Sequence, residues 1–179
     1  MAHTDHKIIF TGPVGAGKTT AIAAISDIEP IRTDEQASDM TTRRKSNTTV
    51  AMDYGMIRLG PKEKVHLYGT PGQERFDFMW EILTKGGIGL VLLLDNTRPA
   101  PFEDLRFYVT AFRDFIENTR LVIGVTQMDS RTSPTIDEYV RQMKEMELAA
   151  PVFEVDARRR DDHLLAVLDS FDDLDGSVA

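Results

Sequence analysis

The chain has 179 residues, 41% of them hydrophobic and 28% charged, which is enough for one hydrophobic core and short for two. Lys and Arg total 21 against 29 Asp and Glu, a net charge of −8, which argues against a general nucleic-acid or anionic-membrane surface. With no cysteine, disulfides, thiolate metal sites and prenyl or palmitoyl anchors are not expected.

The start, Met1-Ala2-His3-Thr4-Asp5-His6, is polar and offers no signal-peptide core, and Ala2 is not a myristoylation acceptor. The longest apolar run, 88–94, is far too short to span a bilayer. A single cytoplasmic domain over 1–179 is expected, with its core in 6–171 and a frayed tail at 172–179.

Residues 7–11 read as a short strand. They are followed by Gly12-Pro13-Val14-Gly15-Ala16-Gly17-Lys18-Thr19, which reads G-x-x-x-x-G-K-T, and then by a helical pattern over 18–26. Strand, glycine loop and helix are the context of a phosphate-binding P-loop. Glycines let the backbone wrap closely, so that its N–H groups and the helix N-terminus face phosphate oxygens. Gly12, Gly15, Ala16, Gly17, Lys18, Thr19 and Thr20 are therefore the candidate phosphate-binding residues. Lys18 would place its charge on the β- and γ-phosphates, and the Thr19 hydroxyl would ligate Mg²⁺.

The polar stretch 27–48 has no apolar period and reads as a long loop. Strands are predicted at 49–59 and 64–68, joined as a hairpin by Gly60-Pro61-Lys62, and at 88–94, 121–126 and 152–155. The run 88–94 lacks polar alternation, as expected of a strand covered on both faces. Helices are predicted at 74–84, 102–116, 136–147 and 161–171. In the second of these, Phe102, Leu105, Val109, Phe112 and Ile116 share one face. Pro134 precedes the third, beside a possible cap at Ser133. This pattern predicts a three-layer α/β P-loop domain with a mostly parallel six-stranded sheet and one antiparallel edge strand.

Two further segments carry a resemblance. Tyr68-Gly69-Thr70-Pro71-Gly72-Gln73-Glu74-Arg75-Phe76 resembles switch II of Ras-like small GTPases, D-x-x-G-Q-E. Leu121-Val122-Ile123-Gly124-Val125-Thr126-Gln127-Met128-Asp129 ends in T-Q-x-D and is similar to their guanine-reading motif. More softly, Glu154-Val155-Asp156-Ala157-Arg158 resembles E-x-S-A-K. Over roughly 6–171 the chain resembles bacterial Ras-like small GTPases, including the MglA and conservon types.

The resemblance implies a switch that binds GTP or GDP with Mg²⁺ and hydrolyses GTP slowly. Gly72 would contact the γ-phosphate, and Gln73, with Lys18, would serve catalysis by orienting the attacking water. Thr126, Gln127 and Asp129 would bind guanine, with the Ala157 N–H near O6 and Arg158 over the pocket. Asp129 would accept from N1–H and N2–H₂, a donor pair that adenine lacks. Thr49 is the better switch I ligand for Mg²⁺, and Thr48 the fallback. Protein effectors and a GTPase-activating protein are implied partners, with roles in polarity, motility or signalling.

Three departures from the family pattern stand out. Gly69 occupies the position of the metal-holding Asp; Asp53 is either its substitute from the neighbouring strand or an ordinary exposed residue. Val14 fills a position that is Gly in Ras and would crowd Gln73. The cluster Arg43-Arg44-Lys45 is either a solvated charge run or a source of a cis arginine finger. A P-loop ATPase or kinase, and a nucleotide-locked pseudo-GTPase, are the competing readings. The four histidines have no metal-ligand spacing.

Overall fold

A computed structural model of the chain describes residues 3–32, 52–70 and 77–160. The elements, in chain order, are β1 (Thr4–Thr11), α1 (Lys18–Ile25), β2 (Ile31–Arg32), β3 (Asp53–Arg58), β4 (Glu63–Gly69), α2 (Asp77–Thr84), β5 (Gly89–Asp95), α3 (Pro101–Ala111), α4 (Arg113–Asn118), β6 (Arg120–Thr126), α5 (Ile136–Glu145) and β7 (Val152–Glu154). The predicted helix at 161–171 and the predicted helical start at 74–76 lie outside the described residues.

The strands form one sheet in the order β2-β3-β4-β1-β5-β6-β7. Among the described strands β3 is antiparallel to both its neighbours, β2 and β4; the pairs β1–β4, β1–β5, β5–β6 and β6–β7 are parallel. The Ras-like α/β architecture is as expected, with one correction. A seventh, two-residue strand lies at the edge, so the antiparallel strand is next to the edge and not on it.

The second half of β1 and all of β5 up to Leu94 are buried, and β5 is apolar there, because helices cover both faces. On one face Ile22 and Ile25 of α1 bury against Ile8, Phe10, Leu67, Val91 and Leu93. On the other, Ile9, Leu90, Leu92, Leu94 and Ile123 meet Trp80, Leu105, Val109 and Tyr139. Trp80 stacks on Phe112 at 4.9 Å between ring centroids, so its role is in the core. Each such side chain contributes about 1.5–3 kcal/mol by leaving water.

Three predicted boundaries are corrected. The helix expected over 102–116 is two, α3 and α4, divided at Phe112, whose φ of −102° and ψ of 15° leave the helical region. The apolar stripe nevertheless continues, since Phe112 and Ile116 are both buried. The helix expected over 136–147 stops at Glu145, and Glu147 turns the chain with φ 58°. Its cap is Thr135, not Ser133: the Thr135 side chain accepts from the Glu138 N–H while the Glu138 carboxylate accepts from the Thr135 N–H. Among the described residues no helix is long and apolar enough to cross a membrane.

Candidate functional site

The chemistry-bearing residues collect at the carboxyl edge of the sheet, where the strands β1, β4, β5 and β6 hand over to loops. Leaving β1, the chain passes over the end of β5 so closely that a Cβ on Gly12 would stand 2.1 Å from the Leu93 carbonyl oxygen. Gly12 also has φ 143°, and only glycine meets both conditions. Gly17, at φ 100°, caps α1 without a side-chain hydrogen bond. The first N–H groups of α1 thus carry the positive end of the helix dipole toward the loop.

Lys18 is 7% exposed. Its ammonium turns back to donate to the carbonyls of Gly12 (2.6 Å) and Pro13 (2.9 Å). Burial lowers its pKa to about 8, with Asp53 opposing and Arg98 adding to the shift. A buried ammonium held, among the described residues, by loop carbonyls and backed by helix N–H groups is suited to receive an anion.

Beside it, the Thr19 hydroxyl donates to Asp53 Oδ2 at 2.5 Å. Asp53 pairs with Gly69 across the antiparallel ladder, and its carboxylate occupies the room above that glycine. A Cβ on residue 69 would come within 3.1 Å of the Asp53 Cβ and 3.3 Å of Oδ2. Asp53 is half-buried and bonded to Thr19, so it is not an ordinary exposed strand residue. An alcohol and a carboxylate side by side next to the phosphate loop form a hard, all-oxygen donor set suited to Mg²⁺.

The second half of the site lies across Gly17. A cavity of about 550 Å³ is lined on the P-loop side by Gly15, Ala16, Gly17 and Thr20, and on the other by Thr126 through Asp129 and Glu154 through Arg159. Thr126, 4% exposed, donates its hydroxyl to the carbonyls of Ala16 (3.0 Å) and Leu94 (3.2 Å). It therefore ties β6 to the P-loop. Gln127 takes the left-handed conformation, φ 63°, and its carbonyl accepts from the N–H groups of Ser130 and Arg131. This turn carries Asp129 to the cavity wall, where Oδ1 accepts the Ser130 N–H at 3.0 Å.

The loop after Asp129 is anchored from β5. Buried Asn96 donates to the carbonyls of Arg131 (2.6 Å) and Pro134 (3.1 Å) and accepts from the Tyr139 hydroxyl at 2.7 Å. Burial raises the Tyr139 pKa, so that hydroxyl stays a donor. Sequence reasoning did not single out Asn96; the polar pair Asp95-Asn96 directly after an unbroken apolar run was the available signal.

Arg158 is fixed by Asp156. Its Nε and Nη2 donate to Oδ1 and Oδ2, each at 2.9 Å, and its backbone N–H donates to Oδ1 at 3.0 Å. These bonds hold the Asp156 carboxyl down to about 2. Arg158 Nη2 also stands 3.9 Å from Asp129 Oδ2. Arg160 is drawn away to Asp27 at 2.7 Å. The run of three arginines is thus paired to acidic groups.

The structure brings Lys18, Thr19, Thr126, Gln127, Asp129, Ala157 and Arg158 to one edge. Thr49, Gly72, Gln73, Arg43 and Arg44 lie outside the described residues. His6 pairs with Glu63 and His66 with Tyr54 and Asp5; among the described residues no group of three or more His, Cys, Asp or Glu is arranged to hold a metal.

This strand order, with a glycine loop leading into α1 and a second loop cluster beside it, defines a nucleotide-binding P-loop protein. The chain belongs to the family described as "Conserved hypothetical ATP binding protein", whose model matches residues 28–176. The matched span begins beyond the P-loop residues. The chain is 33% identical over 104 residues to an uncharacterized protein of Methanocaldococcus jannaschii, covering 58% of this chain and 60% of that one. It is 25% identical to the Ras-related protein RabC of Dictyostelium discoideum (67% and 58% covered). Against the mutual gliding-motility protein MglA of Myxococcus xanthus it is 26% identical (74% and 65%). The chain thus spans 58% to 65% of the length of these relatives.

Proposed function

We infer that the chain is a guanine-nucleotide switch that binds GTP and GDP with Mg²⁺ and hydrolyses GTP slowly. The observation that carries the reading is the position of the Asp129 carboxylate, on the wall of the same cavity as the P-loop residues Gly15, Ala16 and Gly17. A carboxylate at the base end accepts from the paired donors of guanine N1 and N2, whereas adenine leaves it unmatched, and an unmatched polar group in a closed site is costly.

At the phosphate end, Lys18 leaves the loop carbonyls for the β- and γ-phosphates. Thr19 and Thr49 would hold Mg²⁺, with Asp53 engaging its water shell in place of the absent side chain at residue 69. The ion would neutralise charge developing on the phosphoryl oxygens. Gly72 would sense the γ-phosphate, and Gln73 would orient the attacking water. A cis arginine finger from Arg43 or Arg44 is the alternative to a solvated charge run there, and unchanged single-turnover hydrolysis in both Arg43→Ala and Arg44→Ala would remove it. Effectors and a GTPase-activating protein would read or complete the ordered switch segments, and the relationship to MglA makes polarity or motility signalling the first setting to examine.

The family description favours a second reading, an adenine-nucleotide protein. Calorimetric titration of GDP and ADP with Mg²⁺, repeated on Asp129→Ala, separates the two. The guanine reading requires GDP to bind at least tenfold more tightly and the preference to vanish in the variant. Equal or tighter ADP binding refutes it.

A further inference from the structure

We propose that Arg98, held by Asp104 beside the P-loop, is a specificity-determining residue that favours a triphosphate over a diphosphate in the phosphate site. The inference rests on the reading of the P-loop as a polyphosphate site and is independent of which base the protein accepts.

The direction of a bound polyphosphate follows from the two ends of the loop. The base cavity lies against Gly15, Ala16 and Gly17. The Lys18 ammonium is held at the other end, on the carbonyls of Gly12 and Pro13. A phosphate chain leading away from a base therefore finishes at Gly12 and Pro13. That end is flanked by the chain leaving β5. Thr11 of β1 pairs with Leu92 of β5 in the parallel ladder, and Gly12 rests so closely on the Leu93 carbonyl that no Cβ fits between them. Beyond β5 the chain turns. The Asp95 carboxylate accepts the N–H and the hydroxyl of Thr97 at 2.8 and 2.6 Å, and the Asp95 carbonyl accepts the Arg98 N–H at 3.3 Å.

This turn delivers a cation that is fixed in position. Arg98 Nε donates to Asp104 Oδ2 at 2.7 Å and Nη2 to Oδ1 at 3.4 Å, and Asp104 belongs to the first turn of α3. Two of the five guanidinium N–H groups are thus engaged by Asp104. Beyond burial and the opposing pull of Asp53, the like charge of Arg98 lowers the pKa of Lys18, so the two cations share one field. An anion seated on Lys18 relieves that repulsion, and each phosphate added at the Gly12 end deepens the attraction. The Arg98 side chain is 37% exposed, so solvent damps this effect without cancelling it. Asp104 is a positioning residue that also subtracts from the charge it holds.

The test titrates pyrophosphate and tripolyphosphate, with Mg²⁺ in excess, into the full chain and into Arg98→Gln, Arg98→Lys and Asp104→Asn. The ratio of the two affinities is the readout, because a merely structural loss weakens both probes alike. Arg98→Gln should cut the preference for tripolyphosphate about three- to tenfold, as expected of one partly screened charge acting on one further phosphate. Arg98→Lys should keep most of the preference. Asp104→Asn, which removes the opposing carboxylate, should enlarge it. The difference between the parent and Arg98→Gln should shrink in about 0.5 M salt. An affinity ratio in Arg98→Gln equal to that of the parent at low salt overturns the inference and leaves the guanine and adenine readings untouched. A parent that binds neither probe overturns it together with the reading of the P-loop as a polyphosphate site.

Discussion

The carboxylate of Asp53 and the missing side chain of Gly69 are complementary. They face each other across the β3–β4 ladder, and the acid fills the space that a side chain at 69 would enter while accepting the Thr19 hydroxyl. A carboxylate, on the strand beside the one that ends in Gly69, and an alcohol thus lie side by side next to the phosphate loop. Asp53→Ala should therefore weaken Mg²⁺-dependent retention of nucleotide by about 10- to 100-fold, as loss of an outer-sphere partner does. Adding Gly69→Asp to Asp53→Gly should recover part of that loss, whereas Gly69→Asp alone crowds Asp53 and Ile22. Nucleotide release rates with Mg²⁺ and with chelator test both; a Mg²⁺ effect unchanged in Asp53→Ala would remove the role.

Lys18 predicts opposite pH trends for folding and for binding. Its pKa falls from 10.5 to about 8 on folding, so between those values the unfolded chain holds the extra proton. The contribution of Lys18 to the stability of the nucleotide-free protein thus rises with pH through that window. Nucleotide affinity falls over the same window, because the phosphates need the ammonium and a proton must be taken up on binding. Titrations on either side of pH 8, in buffers of different ionisation enthalpy, should show that uptake. Lys18→Met should lose nucleotide binding yet melt at a higher temperature than the nucleotide-free parent, since it removes a buried charge.

Gly12→Ala should fail for a steric reason. Its Cβ would meet the Leu93 carbonyl oxygen at 2.1 Å, and its φ is positive. A destabilisation above about 2 kcal/mol is expected, with nucleotide-induced stabilisation lost. Denaturant unfolding with and without GDP measures both.

Asn96→Ala should act at a distance. It strands the buried Tyr139 hydroxyl and two loop carbonyls, at about 1–3 kcal/mol for such a group. The segment it anchors is the one that follows Asp129. GDP affinity should therefore fall more than pyrophosphate affinity, and equal losses would show that the anchor does not reach the base site.

What was legible in the sequence was local. Eight consecutive residues specify the phosphate loop, and the unbroken apolar run of β5 specifies a central strand. Asp53 was only half legible, because its meaning depends on Thr19 and Gly69, distant in sequence and adjacent only once β3 pairs with β4. The strand β2 has two residues and no pattern of its own; pairing with β3 makes it. The break at Phe112 was hidden because Phe112 and Ile116 stay in register with the buried stripe. The cap at Thr135 was readable, since Glu138 stands three residues on, but Pro134 drew attention to Ser133 instead. The Thr126 tie to Ala16 spans most of the chain, and no local pattern announces it.

The contact between Gly17 and Ala157 has a thermodynamic consequence. A Cβ on residue 17 would stand 2.9 Å from that of Ala157, so the segment after β7 rests on the phosphate loop with no room between them. A shift in either must be matched by the other. A nucleoside and pyrophosphate, supplied as separate molecules, should accordingly help each other to bind, since whichever arrives first seats both segments for the second.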